Sequence, residues 1–108
     1  MTNKHAEIMH VIATKPTATD YSRLPEHMRE GFQRWIEHGL DMGDFGMAVL
    51  RGDLFEAFAR ADAINTARMH DIVMFLYNDA PSGCYGSPAK VKAWRKAHQE
   101  KARGRNAG

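Results

Sequence analysis

The sequence predicts a mainly α-helical protein, folded as a compact single-domain bundle of four to six helices. Three observations predict this class. A chain of 108 residues has room for one modest core. Apolar residues between positions 24 and 98 recur at the spacing of amphipathic helices, and proline and glycine stand where such helices begin and end. We therefore divide the chain into an N-terminal segment (residues 1–23), a helical core domain (residues 24–98) and a basic tail (residues 99–108) that we expect to be disordered.

The N-terminal segment contains one short apolar stretch, residues 7–14, with the sequence EIMHVIAT. The stretch fits either one face of a helix or a short buried strand, and we favour the helix. Its apolar residues are Ile8, Met9, Val11 and Ile12. Lys15 and Pro16 end it, because a proline restricts the backbone of the residue before it.

The first helix of the core domain is predicted to begin at Pro25 and to end before Gly39. Proline suits the first helical turn, and glycine suits the left-handed residue that follows a helix. One amphipathic stripe predicts the face that packs on the core. It consists of Met28, Phe32, Trp35 and Ile36.

Residues 43–78 hold the densest apolar pattern in the chain, and we expect the rest of the protein to pack around them. A short helix over about Asp44–Arg51 is apolar on nearly every side, so it should lie deep in the core. Gly52 and Asp53 separate it from the next helix, since glycine suits a helix end and aspartate is a preferred N-cap.

Asp62 and Asn65 are polar residues within this apolar pattern. A single helix from Asp53 onward would place both on one stripe with Phe55, Phe58, Met69, Val73 and Leu76. Three interpretations are open. The helix breaks near residues 62–65, with Asp62 or Asn65 as the cap of a second helix; a network with Arg60, Arg68 or a neighbouring helix satisfies Asp62; or the pair forms a ligand or partner-subunit site. An unbroken helix would be ~39 Å long against a radius of gyration near ~13 Å, which favours the break.

A loop over residues 79–87 precedes the last predicted helix. Ser87 is the predicted N-cap of this helix and Pro88 its first residue. The helix is weakly amphipathic, with Val91 and Trp94 on its inward side.

The sequence lacks the residue spacings of catalytic and metal sites, so we expect neither an enzyme nor a bound cofactor. The six histidines show no metal-ligand spacing, and there is no glycine-rich phosphate loop. Cys84 is the single cysteine, and a lone cysteine in a small protein is more typical of a buried side chain than of a nucleophile. One cysteine, 44% hydrophobic residues and no long apolar run predict a protein of the reducing cytoplasm without a membrane span.

The polar groups of Asp62 and Asn65 need partners wherever they are buried. We predict one polar cluster that joins them to Arg60, to Tyr77 and Asn78 and to the loop of residues 84–87. This cluster would be a structural lock or the wall of a ligand pocket. The predicted ligand-binding residues are Arg60, Asp62, Asn65, Tyr77, Asn78, Cys84, Tyr85, Gly86 and Ser87.

The net charge of +2 is unevenly distributed. Residues 20–79 hold eleven acidic and six basic side chains, a balance of −5, whereas residues 86–108 hold one acidic and seven basic, a balance of +6. The C-terminal region is therefore the electrostatic candidate for binding nucleic acid, with a solvated helix and tail as the simpler interpretation. Its basic residues are Lys90, Lys92, Arg95, Lys96, Lys101, Arg103 and Arg105.

Several short runs within residues 24–95 form a recognisable pattern. They are residues 24–27, 37–39, 76–78 and 86–88, Asn65, Pro81, Trp94 and the pattern A-V-L-x-x-D-L-x-E-A-x-x-R-A-D over residues 48–62. Together they resemble a family of small proteins encoded by tailed bacteriophages and prophages. The chain departs from that family at residues 41–44, where relatives have a proline-rich turn, and at Tyr85, where they have tryptophan. The resemblance implies a phage context and brings no established activity with it.

In a phage context we expect an accessory binding protein with a counter-defence purpose in the cytoplasm of the infected bacterial host. The leading hypothesis is a homo-oligomer that sequesters a nucleotide-type host immune signal in pockets lined by arginine and aromatic residues. Arginine pairs with phosphate, and an aromatic ring can stack on a base. The alternative is an interaction protein that inhibits a host defence complex, as anti-CRISPR proteins do, or that binds nucleic acid through its basic C-terminus.

Overall fold

The computed structural model describes residues 19–107, with side chains as far as residue 104. Within that range the chain forms six α-helices and no strand, which confirms the predicted mainly α bundle. They are α1 (Glu26–His38), α2 (Asp44–Arg51), α3 (Leu54–Arg60), α4 (Ala63–Ala67), α5 (Met69–Asn78) and α6 (Pro88–Ala107), with a 3₁₀ turn (Ser82–Cys84) between α5 and α6. None of these helices is long and apolar enough to cross a membrane. The prediction for residues 7–14 lies outside the described residues.

α1 begins and ends where its sequence predicts. Pro25 occupies the cap before the helix, and Gly39 follows it with φ 67°, the left-handed geometry that glycine tolerates best. The Gly39 N–H donates to the carbonyl of Trp35 at 2.9 Å. Phe32, Trp35 and Ile36 are buried, so the predicted stripe is the core face of α1.

α2 lies at the centre of the core, and all of residues 45–50 are buried. A helix of eight residues is too short to be stable alone, so its stability comes from the structure packed around it. α3 and α6 both pack against α2. Met42 packs against it as well, because a Cβ placed on Gly46 would lie 2.5 Å from the Cε of that methionine.

The loop before α6 closes over the C-terminal end of α2. Gly52 has φ 76°, and a Cβ there would lie 3.2 Å from the carbonyl oxygen of Gly86. The Gly86 N–H donates to the carbonyl of Leu50 at 2.8 Å. The indole N–H of Trp35 donates to the carbonyl of Cys84 at 3.0 Å. These bonds fix the loop to both α1 and α2.

The chain after α2 breaks at Asp62, as the first of the three interpretations predicts. Asp53 caps α3 by accepting from the N–H of Glu56 at 3.1 Å, and Asp62 caps α4 by accepting from the N–H of Asn65 at 2.7 Å. Ala61 between the two helices is extended, with ψ 136°. The break therefore gives α3 a helical phase of its own.

The single apolar stripe expected along an unbroken helix is consequently not present. Met69 and Leu76 are buried, but Phe55, Phe58 and Val73 are exposed. Residues that one continuous helix would align point in different directions once the helix is interrupted. The break thus leaves Phe55 and Phe58 of α3 at the surface. Val73 lies on the same side of α5 as Met69 and Leu76, and it is nevertheless exposed.

The first half of α6 is fixed to the core. The Ser87 hydroxyl accepts from the N–H of Lys90 at 3.1 Å, which confirms the predicted N-cap. Val91 is buried, and the indole N–H of Trp94 donates to the carbonyl of Trp35 at 3.0 Å.

The second half of α6 differs from the prediction. The helix continues to Ala107, so the structure makes residues 99–107 helical where we expected a disordered tail. Alanine, lysine and arginine favour helix propagation, and this stretch contains a single glycine and no proline.

Candidate functional site

The predicted ligand-binding residues lie in three separate places. The first group is at the junction of α3 and α4, the second ends α5, and the third precedes α6. In that order they are Arg60, Asp62 and Asn65; Tyr77 and Asn78; and Cys84, Tyr85, Gly86 and Ser87. No hydrogen bond or ion pair within the described part of the chain joins one group to another. The hydrogen bonds and ion pairs of the described residues therefore do not link the three groups into the cluster that we predicted, and each group bonds to other partners.

Arg60 is held by acidic residues of two helices. Its Nε lies 2.6 Å from a carboxylate oxygen of Glu56, and its Nη1 lies 3.5 Å from a carboxylate oxygen of Asp44. The hydrogen bond to Glu56 raises the pKa of Arg60. The Arg60 side chain is still 53% exposed, so part of its guanidinium faces solvent.

Asp62 has two local partners. One carboxylate oxygen caps α4, and the other lies 3.3 Å from Nε2 of His27 on α1. The side chain is more than half exposed, so Asp62 is not the buried carboxylate that an unbroken helix would have required.

Asn65 is the buried polar residue of this corner. Its Nδ2 lies 3.6 Å from the Sδ of Met28, and its Oδ1 is the one buried side-chain oxygen or nitrogen in the described range without a hydrogen-bond partner. An unpartnered buried amide oxygen costs about 1–3 kcal/mol. The contact between α1 and α4 therefore leaves one buried amide oxygen without a hydrogen-bond partner.

Residues 84–87 cover the core, and Cys84, Gly86 and Ser87 form hydrogen bonds within the fold. Cys84 is buried, and burial raises the pKa of its thiol to about 12. A nucleophilic cysteine needs the opposite shift. Tyr85 is half-buried and packs against the core. Gly86 and Ser87 make the backbone and capping bonds described above.

Tyr77 and Asn78 lie at the surface where α5 ends. The Tyr77 side chain is 73% exposed, so its ring is open to solvent. Asn78 places its Nδ2 3.9 Å from the Sδ of Met74, a weak interaction that leaves its amide available.

The basic side chains of α6 are mostly unpaired. Arg95 donates to Asp41 at 2.9 Å, and its guanidinium carbon lies 5.7 Å from the centre of the Trp35 ring. No ion pair in the described range includes the others whose side chains are described, namely Lys90, Lys92, Lys96, Lys101 and Arg103. The side chain of Arg105 lies outside the described ones.

Five large apolar side chains of α3 and α5 are exposed, and we call them the α3–α5 face. They are Leu54, Phe55, Phe58, Val73 and Tyr77, exposed to 61%, 86%, 46%, 44% and 73% respectively. Only Tyr77 among them was a predicted site residue. The caps at Asp53 and Asp62 could have predicted this exposure, because they delimit α3 as a separate short helix. Within that helix Phe55 points away from the side that bears the buried Ala57.

A groove between α3 and α5 joins the residues that the two helices contribute to this face. It has a volume of about 110 Å³, and both Leu54 of α3 and Val73 of α5 line it. Its remaining lining residues are Val49, Gly52, Asp53, Ala57 and Met69. Phe58 lies one helical turn from Leu54, and Tyr77 lies one turn from Val73. The five side chains therefore form one continuous surface.

Comparisons with known proteins do not identify this surface. No family model matches the chain, and no curated protein or solved structure matches it either. Within residues 19–107, no group of three or more His, Cys, Asp or Glu side chains is placed to hold a metal ion.

Proposed function

We propose that the protein is a phage-encoded accessory binding protein that acts as a homo-oligomer and sequesters a nucleotide-type signal of the bacterial host. The observation that carries the proposal is the α3–α5 face. Phe55 alone is 86% exposed, although full burial of one phenylalanine stabilises a protein by about 1.5–3 kcal/mol. Large contiguous apolar patches on soluble proteins mark binding surfaces. A second protein surface on this face would recover that free energy.

Arg60 on α3, and Tyr77 with Asn78 on α5, have the chemistry that a nucleotide needs, although they lie apart within one chain. Arg60 keeps part of its guanidinium in solvent, and a guanidinium pairs with phosphate oxygens. Tyr77 presents an open ring that can stack on a base, and the Asn78 amide beside it offers a donor and an acceptor. These three residues support the proposal better than residues 84–87 do, because Cys84 is buried and Gly86 and Ser87 form hydrogen bonds within the fold.

Stoichiometric binding, rather than catalysis, is the activity we propose. Cys84 is the only thiol, and it is buried with a raised pKa. Asp53 and Asp62 serve as helix caps, and Glu56 pairs with Arg60. The polar groups with free surface suit recognition of a charged small molecule in the cytoplasm of an infected cell.

Native mass spectrometry of the protein purified from a bacterial host tests this proposal. We expect the mass of several chains plus a small molecule, which denaturation and chromatography should release with the absorbance of a nucleotide. Tyr77→Ala should lose the small molecule, whereas Leu40→Ala, at an exposed leucine remote from α3 and α5 in sequence, should retain it. A single chain without cargo would refute the proposal and favour docking on a host defence complex.

Binding of nucleic acid through α6 is the second candidate function. The observation that favours it is the set of unpaired basic side chains on α6 described above. Fluorescence anisotropy with a labelled DNA duplex at increasing salt tests it, since log K falls by about 0.9 per phosphate contact for each decade of salt. Replacing the five unpaired basic residues by glutamine should remove this salt-dependent binding. Affinity that survives both high salt and the replacement would exclude α6.

A further inference from the structure

We propose that the α3–α5 face is a two-fold symmetric interface, on which a second copy of this chain docks with Phe55 of each copy entering the groove of the other. The inference rests on the proposed function, because it names the contact that builds the oligomer. It is argued from the size, the charge and the shape of the face.

The exposed area fits the apolar centre of a stable dimer. At about 200 Å² for each aromatic side chain, the exposed parts of Phe55 and Phe58 amount to about 260 Å². Leu54 and Val73 add to this area. A standard interface covers about 800 Å² of each partner, of which about 65% is apolar in homodimers. The face therefore supplies more than half of the apolar area that one side of such a dimer needs, even without Tyr77.

The charge of the face suits a neutral partner. Along α5 the outward positions His70, Val73, Met74 and Tyr77 follow the spacing of a helix–helix seam and include no acidic or basic side chain other than the histidine. On α3, Glu56 and Arg60 neutralise each other across 2.6 Å. Nucleic acid would find no free positive charge in the middle of this face. Asp53 is the one charged residue that lines the groove, and its carboxylate is engaged as the cap of α3. A second copy brings an equally apolar surface to the rest of the face.

The shape of the face supplies both halves of a self-complementary contact. Phe55 projects into solvent beside the groove, and the groove walls are apolar at Leu54, Ala57 and Val73. In a two-fold interface, residue i of one copy meets residue j of the other and the reverse contact forms at the same time. One protruding ring and one adjacent groove on each copy satisfy that condition.

Light scattering coupled to size-exclusion chromatography tests the interface. Wild-type protein should show the mass of two chains or a multiple of two, and Phe55→Asp should weaken association about 100-fold or more, since buried aromatic residues dominate such interfaces. Val73→Asp should have the same effect from the groove side. Leu40→Asp is the matched control, because Leu40 is 54% exposed outside the face and its replacement should leave the mass unchanged. Circular dichroism should show the same helicity for all four proteins.

Two outcomes would overturn the interface. One is a wild-type mass of one chain at high concentration, and the other is an oligomer that survives both Phe55→Asp and Val73→Asp. If the wild-type mass is one chain, a lower melting temperature for Phe55→Asp would assign the face to the chain's own residues 7–14 instead.

The failure of the interface and the failure of the proposed function have different signatures. If the dimer dissociates with Phe55→Asp but carries no nucleotide, the interface is supported and the proposed sequestration of a nucleotide is refuted. If an oligomer carries nucleotide and Phe55→Asp does not change its mass, sequestration is supported and the interface is refuted.

Discussion

α2 and α3 are neighbouring short helices with opposite surroundings. They have eight and seven residues, and only Gly52 and Asp53 separate them. In α2 six consecutive residues are buried, whereas in α3 only Ala57 is. Both helices are too short to be stable without packing. α2 obtains its packing on all sides within the chain, while α3 has an inner contact and an open outer surface.

The difference separates residues that stabilise the fold from residues available for binding. Apolar side chains on α2 are enclosed by other parts of the same chain, so changing them should change the free energy of unfolding. Apolar side chains on the outer surface of α3 contribute little to the fold of one chain, so changing them should alter association instead. Four predictions use this contrast.

Leucines on the two helices give the largest expected contrast. Leu50 of α2 is inaccessible to solvent and Leu54 of α3 is 61% exposed. Leu50→Ala should lower the free energy of unfolding by about 2–5 kcal/mol, because it leaves a cavity. Leu54→Ala should change it by less than about 0.5 kcal/mol in dilute protein. Urea denaturation followed by circular dichroism measures both, and equal losses would show that α3 is packed as closely as α2.

Gly46, which is crowded by Met42, and Gly104, which is open to solvent, give the next largest contrast in stability. A Cβ on Gly46 of α2 would lie 2.5 Å from Met42 Cε and 2.9 Å from Met42 Cβ, so the whole methionine must move. Gly46→Ala should therefore destabilise the protein by about 1–3 kcal/mol. Gly104→Ala on α6 is the control, since nothing lies within 4 Å of that position and alanine favours the helix. Stabilisation by Gly46→Ala would contradict the close packing of Met42.

The buried thiol of Cys84 should make the free energy of unfolding depend on pH. Burial raises its pKa from 9.0 to about 12, so the folded protein holds the proton more tightly than the unfolded chain. The corresponding stability is present below pH 9 and is lost as the pH rises towards 12. From near neutral pH to about pH 10, wild-type protein should lose about 1.4 kcal/mol more than Cys84→Ala does. The pKa of Tyr21 is raised in the same direction by burial and by Glu37, but Tyr21 is present in both proteins, so its effect cancels except for its smallest cause, the interaction with Cys84. Equal losses in the two proteins would mean that solvent reaches the thiol.

Asp62 gives the smallest effect of the four. Its side chain caps α4 and is more than half exposed, so Asp62→Ala should cost about 1 kcal/mol, as the loss of a helix cap does. This is less than the loss of about 3–5 kcal/mol that follows when one partner of a buried ion pair is removed. Asp53→Ala, which removes the equivalent cap of α3, is the matched control. A much larger loss in the free energy of unfolding for Asp62→Ala alone would indicate that Asp62 belongs to a buried polar network that stabilises the fold.

The helix ends were predictable because their signals are local in sequence. Pro25 and Gly39 mark the ends of α1, and Gly52 with Asp53 separates α2 from α3, as the sequence indicated. Each of these signals depends on residues within one turn of the helix end. The burial of residues 45–50 also followed directly from their composition.

The candidate site was largely unpredictable because it depends on the break at Asp62 and on tertiary placement. The α3–α5 face exists only if α3 and α5 have separate helical phases, which the sequence left as one of three interpretations. The predicted cluster required residues 60 and 84 to meet, and in the structure each binds other partners. Tyr77 is the one predicted residue that belongs to the face.

Amide hydrogen exchange at low and at high protein concentration tests the central claim most directly. If a second copy covers the α3–α5 face, amides of α3 and α5 should exchange more slowly at high concentration, because association stabilises the helices at the interface. Amides of α2 should be slow at both concentrations, since α2 is enclosed within one chain. Equal exchange of α3 at the two concentrations, alongside slow exchange of α2, would contradict the claim that this face binds another copy.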